Sequence, residues 1–155
     1  MWFRGRNGCA GVARVLLAED DNAVRDMLRA ALERCGFEVV AVAGVRDALR
    51  HIATENFDVL LSDLHMPHAG DGFTVVSAMR HTHPDAVTIV LSGYPEIEEA
   101  FAAIRSQADE VLVKPIGIAS LREIINKRLA EPRLHRTLLT ETVAHHTGAQ
   151  PRGYD

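Results

Sequence analysis

Short aliphatic runs alternate with longer stretches of helical periodicity along residues 14–130. Runs rich in Val, Leu and Ile at 14–18, 38–43, 59–62, 87–91 and 110–113 predict five strands, and three of them are almost uninterrupted. A strand that is apolar on both faces must be covered on both faces, which is the situation of a parallel sheet between two layers of helix. The spacing of apolar positions predicts a helix over 22–35, where Val24, Met27, Leu28, Ala31 and Leu32 form one stripe. Asp21 or Asn22 caps its first amides and Gly36 stops it. Further helices are predicted over 45–54, over 73–81 with the His83-Pro84 step behind it, over 96–105 just after Pro95, and over 118–129. In the last of these Leu121, Ile124, Ile125 and Leu129 form the buried stripe, and Lys127 and Arg128 lie near the negative C-terminal end. Five alternating βα units predict an α/β fold with helices on both faces of a five-stranded parallel sheet. Ligands of such sheets bind outside the carboxyl ends of the strands, which directs attention to 18–21, 62–66, 91–94 and 113–115.

The flanks differ in character. Residues 1–13 are rich in Gly and Arg and are expected to form a flexible lead-in to a domain over 14–130. Residues 131–155 read as a tail or linker in which Leu134, Leu138 and Leu139 support a short helix, too short for an output domain. With 155 residues, 47% hydrophobic and 25% charged, the chain suits one core that needs neither disulfide nor structural metal. A net charge of −4 argues against direct nucleic-acid binding. No secretory apolar segment and no run approaching the roughly 18 residues of a spanning helix is present, so a soluble, cytoplasmic protein is expected, without membrane contact. Cys9 and Cys35 lack C-x-x-C spacing and are expected as reduced thiols.

Chemistry concentrates where the strands end. The first runs into Glu19-Asp20-Asp21, three consecutive carboxylates that raise one another's pKa unless a hard cation such as Mg²⁺ neutralises them; a helix-capping acidic turn is the ordinary alternative. The third strand ends on Asp63, the fourth in Ser92-Gly93 and the fifth in Lys114-Pro115. Taken singly, a capping Asp, a turn-forming Ser and a solvated Lys are all commonplace. Together they supply an acceptor carboxylate, a hydroxyl donor and a compact ammonium, which is what an aspartyl phosphate requires. His65, His68, His81 and His83 lack metal-ligand spacing and are read as scattered solvent histidines.

In order and spacing, residues 14–129 resemble the receiver domains of two-component response regulators, the CheY-like family. The resemblance rests on Glu19-Asp20, Asp63, Ser92-Gly93 and Lys114-Pro115, and on Asp63-Leu64-His65-Met66-Pro67 with Gly70-Asp71-Gly72 beyond it. It implies a doubly wound, flavodoxin-like sheet of order 2-1-3-4-5 with five helices on two faces. It implies a signalling domain rather than an enzyme: Asp63 accepts a phosphoryl group from a histidine kinase, a histidine phosphotransfer protein or a small acyl phosphate. Mg²⁺ would be held by Asp20, Asp63 and the backbone carbonyl of His65, with Glu19 acting through water; Arg25 sets that register. Lys114 would pair with the phosphate and Ser92 would move to hydrogen-bond it. The resemblance also implies a downstream protein target or an output domain outside this segment, and a partner or dimer surface formed by the helix at 96–105, the strand at 110–113 and the helix at 118–129.

One departure from the family is Val111, where receivers usually carry Tyr or Phe. His65 and Tyr94 are expected to flank the reacting atom and set the lifetime of the phosphorylated state. An Asp-nucleophile phosphatase would show D-x-D, whereas Asn22 follows Asp20 at that spacing. A nucleotide- or flavin-binding domain would show a Gly-rich loop after a strand, and none is present. A degenerate receiver that only binds proteins is opposed by the intact acidic, Ser and Lys positions.

Overall fold

Three central strands carry the core, β3 (Arg14–Ala18) buried from its second residue on and β5 (Val59–Asp63) and β6 (Val87–Ser92) buried throughout. Their alternating side chains build two separate cores. Val15, Leu17, Val59, Leu61, Val87, Ile89 and Leu91 face one layer of helices, while Leu16, Ala18, Leu60 and Val90 face the other. The computed structural model describes residues 3–4, 10–66, 69–93 and 107–131. With β4 (Glu38–Val42) and β7 (Glu110–Val113) at the edges, five parallel strands lie in the order β4-β3-β5-β6-β7, which is 2-1-3-4-5 counted along the chain.

Helices α1 (Asn22–Arg34) and α4 (Ile118–Ala130) bury Leu28, Leu32, Leu121 and Ile125 on the first face. Helices α2 (Val45–Thr54) and α3 (Ala69–Thr82) bury Ala48, Ile52, Val75, Val76 and Met79 on the second. The helix predicted over 96–105 lies outside the described residues. Asp21 caps α1 by accepting a hydrogen bond from the Val24 amide at 3.0 Å. At its other end Gly36 takes φ +93°, and the amides of Gly36 and Phe37 bond back to the carbonyls of Glu33 and Leu32 at 3.0 and 3.2 Å. This double closure needs the left-handed conformation that glycine adopts without strain.

Three sequence expectations change. Met27 is 61% exposed instead of buried, because it lies about 100° around the helix from Leu28 and misses the contact with the sheet. It borders a groove lined also by Ala31, Arg34, Cys35, Ile116 and Ile118. Helix α3 begins at Ala69 rather than 73, since Gly70-Asp71-Gly72 forms part of its first turn. In the lead-in, where the sequence predicts no regular structure, β1 (Phe3–Arg4) pairs antiparallel with β2 (Ala10–Gly11); two-residue strands are too short to show an alternating pattern.

The edge of the sheet where the strands begin is closed by polar contacts. The Arg14 guanidinium reaches Glu38 at 3.0 Å and Glu55 at 2.9 Å, and its amide donates to Asp58 at 2.8 Å. His51 pairs with Glu55 one helical turn away. Cys35 is a half-buried free thiol, and Cys9 lies outside the described residues. Among the described residues no helix is long and apolar enough to cross a membrane.

Candidate functional site

Strands β3 and β5 are neighbours with Ala18 opposite Ser62, so Glu19 and Asp63 follow side by side at the tip of the sheet. The Glu19 amide still bonds the Val42 carbonyl at 3.1 Å, which fixes the point where the chain leaves the sheet. One oxygen from each of Glu19, Asp20 and Asp63 fits within a set separated by no more than 4.8 Å. Lys114, just beyond β7, brings its Nζ to 2.8 Å from Glu19 Oε2 and 3.4 Å from Asp63 Oδ1. Four of the six residues singled out from sequence therefore meet in one place.

Burial decides the electrostatics. Glu19 is only 2% exposed, and desolvation, reinforced by the charge of Asp63, pushes its carboxyl above the usual range against the opposing hydrogen bond from Lys114. For Lys114, burial alone would lower the pKa, but the hydrogen bond to Glu19 and the charges of Asp63 and Glu19 outweigh it and raise it. A single ammonium thus serves two carboxylates, and Asp20 adds a third that is exposed. A pocket of hard oxygen donors that is short of positive charge fits a small divalent cation such as Mg²⁺.

Other residues position this cluster. Asp21 stands outside it and caps α1, while its amide donates to Glu19 Oε1 at 3.3 Å. Ser92 is fully buried at the end of β6, opposite Val113, and its carbonyl accepts from the Lys114 amide at 2.7 Å. The peptide between Lys114 and Pro115 is cis. The amide of His65, which is half-buried, lies 3.4 Å from Asp63 Oδ1. Gly72 packs so closely that a Cβ there would stand 2.4 Å from the Asp63 carbonyl oxygen and 2.7 Å from the Leu64 Cα. Arg25 donates from Nη1 to the Glu19 carbonyl at 2.9 Å. Sequence reasoning used Arg25 only to set register and Gly72 only as part of a signature; their contacts become visible when the turn is folded.

Val111 is half-buried and packs against the core on the α2–α3 face. Tyr94 and His68 lie outside the described residues. His83 corrects the reading of solvent histidines: it is 5% exposed and its Nε2 lies 3.0 Å from the Ile52 carbonyl oxygen. A lone histidine behind a helix carries no periodic signal that would mark it as buried.

The model of the response regulator receiver domain family matches residues 15–126. The response regulator protein FleR of Pseudomonas aeruginosa is 34% identical over 113 residues, which are 73% of this chain and 24% of that protein. This chain therefore spans about a quarter of the length of that relative. A CheY-like receiver domain from Methanospirillum hungatei superposes with a TM-score of 0.70 at 28% identity, covering 77% of this chain and 94% of that one. The response regulator TrrA of Thermotoga maritima, solved in complex with Mg²⁺-BeF, gives 0.67 at 26% identity, covering 76% of this chain and 99% of that one. Fold, strand-end chemistry and these likenesses agree: the chain belongs to the receiver domain family of response regulators, the signalling domains of two-component systems.

Proposed function

We propose that Asp63 accepts a phosphoryl group, from the phosphohistidine of a kinase or phosphotransfer protein or from a small acyl phosphate, in a Mg²⁺-dependent reaction that switches partner binding. The observation that carries this reading is the convergence of Glu19, Asp20 and Asp63 within 4.8 Å, with Lys114 touching two of them. A carboxylate oxygen of Asp63 forms the new bond to phosphorus while the bond from phosphorus to the donor's nitrogen or oxygen breaks, its electron pair leaving with the donor. Asp20, Asp63 and the His65 carbonyl would hold the cation, with Glu19 acting through water; when bound, Mg²⁺ supplies positive charge for the transferring phosphoryl oxygens. The complex of TrrA with Mg²⁺-BeF supports that assignment by analogy. Lys114 would pair with one phosphoryl oxygen, and Ser92 would donate its hydroxyl to another after a shift of the β6 end.

The working domain on this reading is 14–130, with 1–13 and 131–155 as flanking segments. Its cognate partners are a cytoplasmic histidine kinase or phosphotransfer protein and, downstream, a protein target or an output domain. The faces at 96–105, 110–113 and 118–129 are the surface for a phosphorylation-dependent partner or dimer. Incubation with acetyl phosphate and Mg²⁺ followed by intact-mass measurement tests the chemistry. The native chain gains one phosphoryl group and Asp63→Ala gains none; equal labelling of both, or of neither, overturns it.

A further inference from the structure

The connection from β3 to α1 is three residues long, and each of them is a carboxylate. Its start is held by the Glu19 amide on the Val42 carbonyl at 3.1 Å, and its end by the Arg25 amide on the Asp21 carbonyl at 2.9 Å. Between these anchors the Glu19 carbonyl has left the strand ladder, since the last pair of β3 with β5 is Ala18 with Ser62. That oxygen accepts from Arg25 Nη1 at 2.9 Å in a partly buried setting. The other prong of the same guanidinium, Nη2, donates to Asn22 Oδ1, so one planar group ties both sides of the turn. Among the described residues the Asp20 carboxylate has no hydrogen-bond or ion-pair partner of its own. With no partner of its own, that side chain takes the position of its Cα–Cβ bond from the Glu19-Asp20 peptide, whose carbonyl oxygen is held by Arg25.

We propose that Arg25 is a positioning residue that aims the Asp20 carboxylate at the cation site shared with Glu19 and Asp63. The role rests on the phosphoryl-acceptor reading and deepens it. Two physical effects of Arg25 oppose each other in sign. As a positive charge close to the pocket it disfavours a divalent cation, so its removal would tighten Mg²⁺ binding if charge were all that mattered. As a fork holding the turn it lowers the entropy of arranging the carboxylates, so its removal weakens binding. Loss of a group that orients a metal ligand typically reduces affinity by about 10–100-fold, whereas a water-screened charge has a smaller influence.

Calorimetric titration of MgCl₂ into the native chain, Arg25→Met and Arg25→Lys separates these effects. Arg25→Met is expected to raise the Kd for Mg²⁺ about tenfold. Arg25→Lys, which keeps the charge but cannot bridge Glu19 and Asn22, is expected to raise it as well. Phosphorylation by acetyl phosphate then slows at low Mg²⁺ and returns to the native rate at saturating Mg²⁺, a split that general destabilisation would not produce. Tighter or unchanged binding in Arg25→Met, or full native affinity in Arg25→Lys, overturns the proposal. Should Arg25→Met fail to give a native circular dichroism spectrum, Arg25→Lys alone carries the same comparison. If the native chain itself binds no Mg²⁺, the phosphoryl-acceptor reading falls and the role of Arg25 with it; failure confined to the variants removes only the role of Arg25.

Discussion

Replacing Gly72 with Ala probes how tightly α3 is seated against the tip of β5. Alanine is the better helix former by about 1 kcal/mol, and Gly72 has no positive φ to protect, so propensity alone predicts a gain in stability. Packing predicts the reverse. The added methyl would lie 2.4 Å from the Asp63 carbonyl oxygen, 2.7 Å from the Leu64 Cα and 2.9 Å from the Leu64 carbonyl oxygen. These are backbone atoms of a buried strand end and cannot turn aside, so the upper part of the usual overpacking range, about 1–3 kcal/mol, applies. The net expectation is a loss of about 1–2 kcal/mol. Gly70→Ala is the control, because a Cβ there meets nothing within 4 Å and the same helix should gain about 0.5 kcal/mol. Urea unfolding should separate the midpoints of the two variants by roughly 1 M or more. Because the clash pushes on the Asp63-Leu64 backbone, Gly72→Ala should also accept phosphoryl groups more slowly, and Gly70→Ala should not. A Gly72→Ala midpoint at or above that of the native chain, with unchanged slope, would refute the packing argument.

Three further outcomes are expected. The hydrogen bonds from His51 and Arg14 hold the Glu55 carboxyl below its ordinary 4.5. This contribution to stability is fully present above pH 4.5 and is lost as pH falls through the lower folded-state value; Glu55→Gln should flatten that part of a plot of urea midpoint against pH. Lys114→Met leaves Glu19 and Asp63 facing each other without their shared ammonium. The loss at pH 7 should fall short of the ~3–5 kcal/mol of a fully buried broken pair, since Lys114 retains contact with water, and melting temperatures should recover as acid protonates Glu19, whose pKa is already raised. If His65 and Tyr94 set the lifetime of the phosphorylated state, replacing both with Ala should change the autodephosphorylation rate; a rate equal to that of the native chain would remove that expectation.

The parallel sheet was legible because Leu60, Leu61, Ile89 and Val90 are apolar on both faces and no other common element demands that of so short a run. The site was legible for a related reason. Glu19, Asp63, Ser92 and Lys114 interrupt or terminate those runs, and parallel strands all end at the same edge. What periodicity could not carry was anything decided by a single close contact. The predicted helix began at 73 and left out Gly70 and Gly72, yet Gly72 is in a helix that only a residue without a side chain could bring so near Asp63. Met27 read as core because it is apolar, and the arc that α1 buries proved narrower than its apolar stripe. The buried His83 finds its contact in the Ile52 carbonyl oxygen, 31 residues away in sequence, which no local pattern marks.

The tip of the sheet is built against its own stability, and this is where a switch can act. Beneath it Leu16, Leu17, Leu60 and Leu61 are dry and close-packed, and well-packed apolar residues in place of the buried charges would hold the fold equally well or better. Instead Lys114 stands between Glu19 at 2.8 Å and Asp63 at 3.4 Å, closer to Glu19 than to the proposed acceptor. On the proposed reading, phosphorylation replaces the single carboxylate charge of Asp63 with about −1.5 to −2, so the pull on Lys114 would shift toward residue 63 and its bond to Glu19 would be the one to yield. The backbone of Lys114 is tied to the Ser92 carbonyl at 2.7 Å, so a displaced lysine pulls directly on the end of β6. Transmission then needs no aromatic at position 111: the half-buried Val111 can stay packed in the core while the β6 and β7 tips move together.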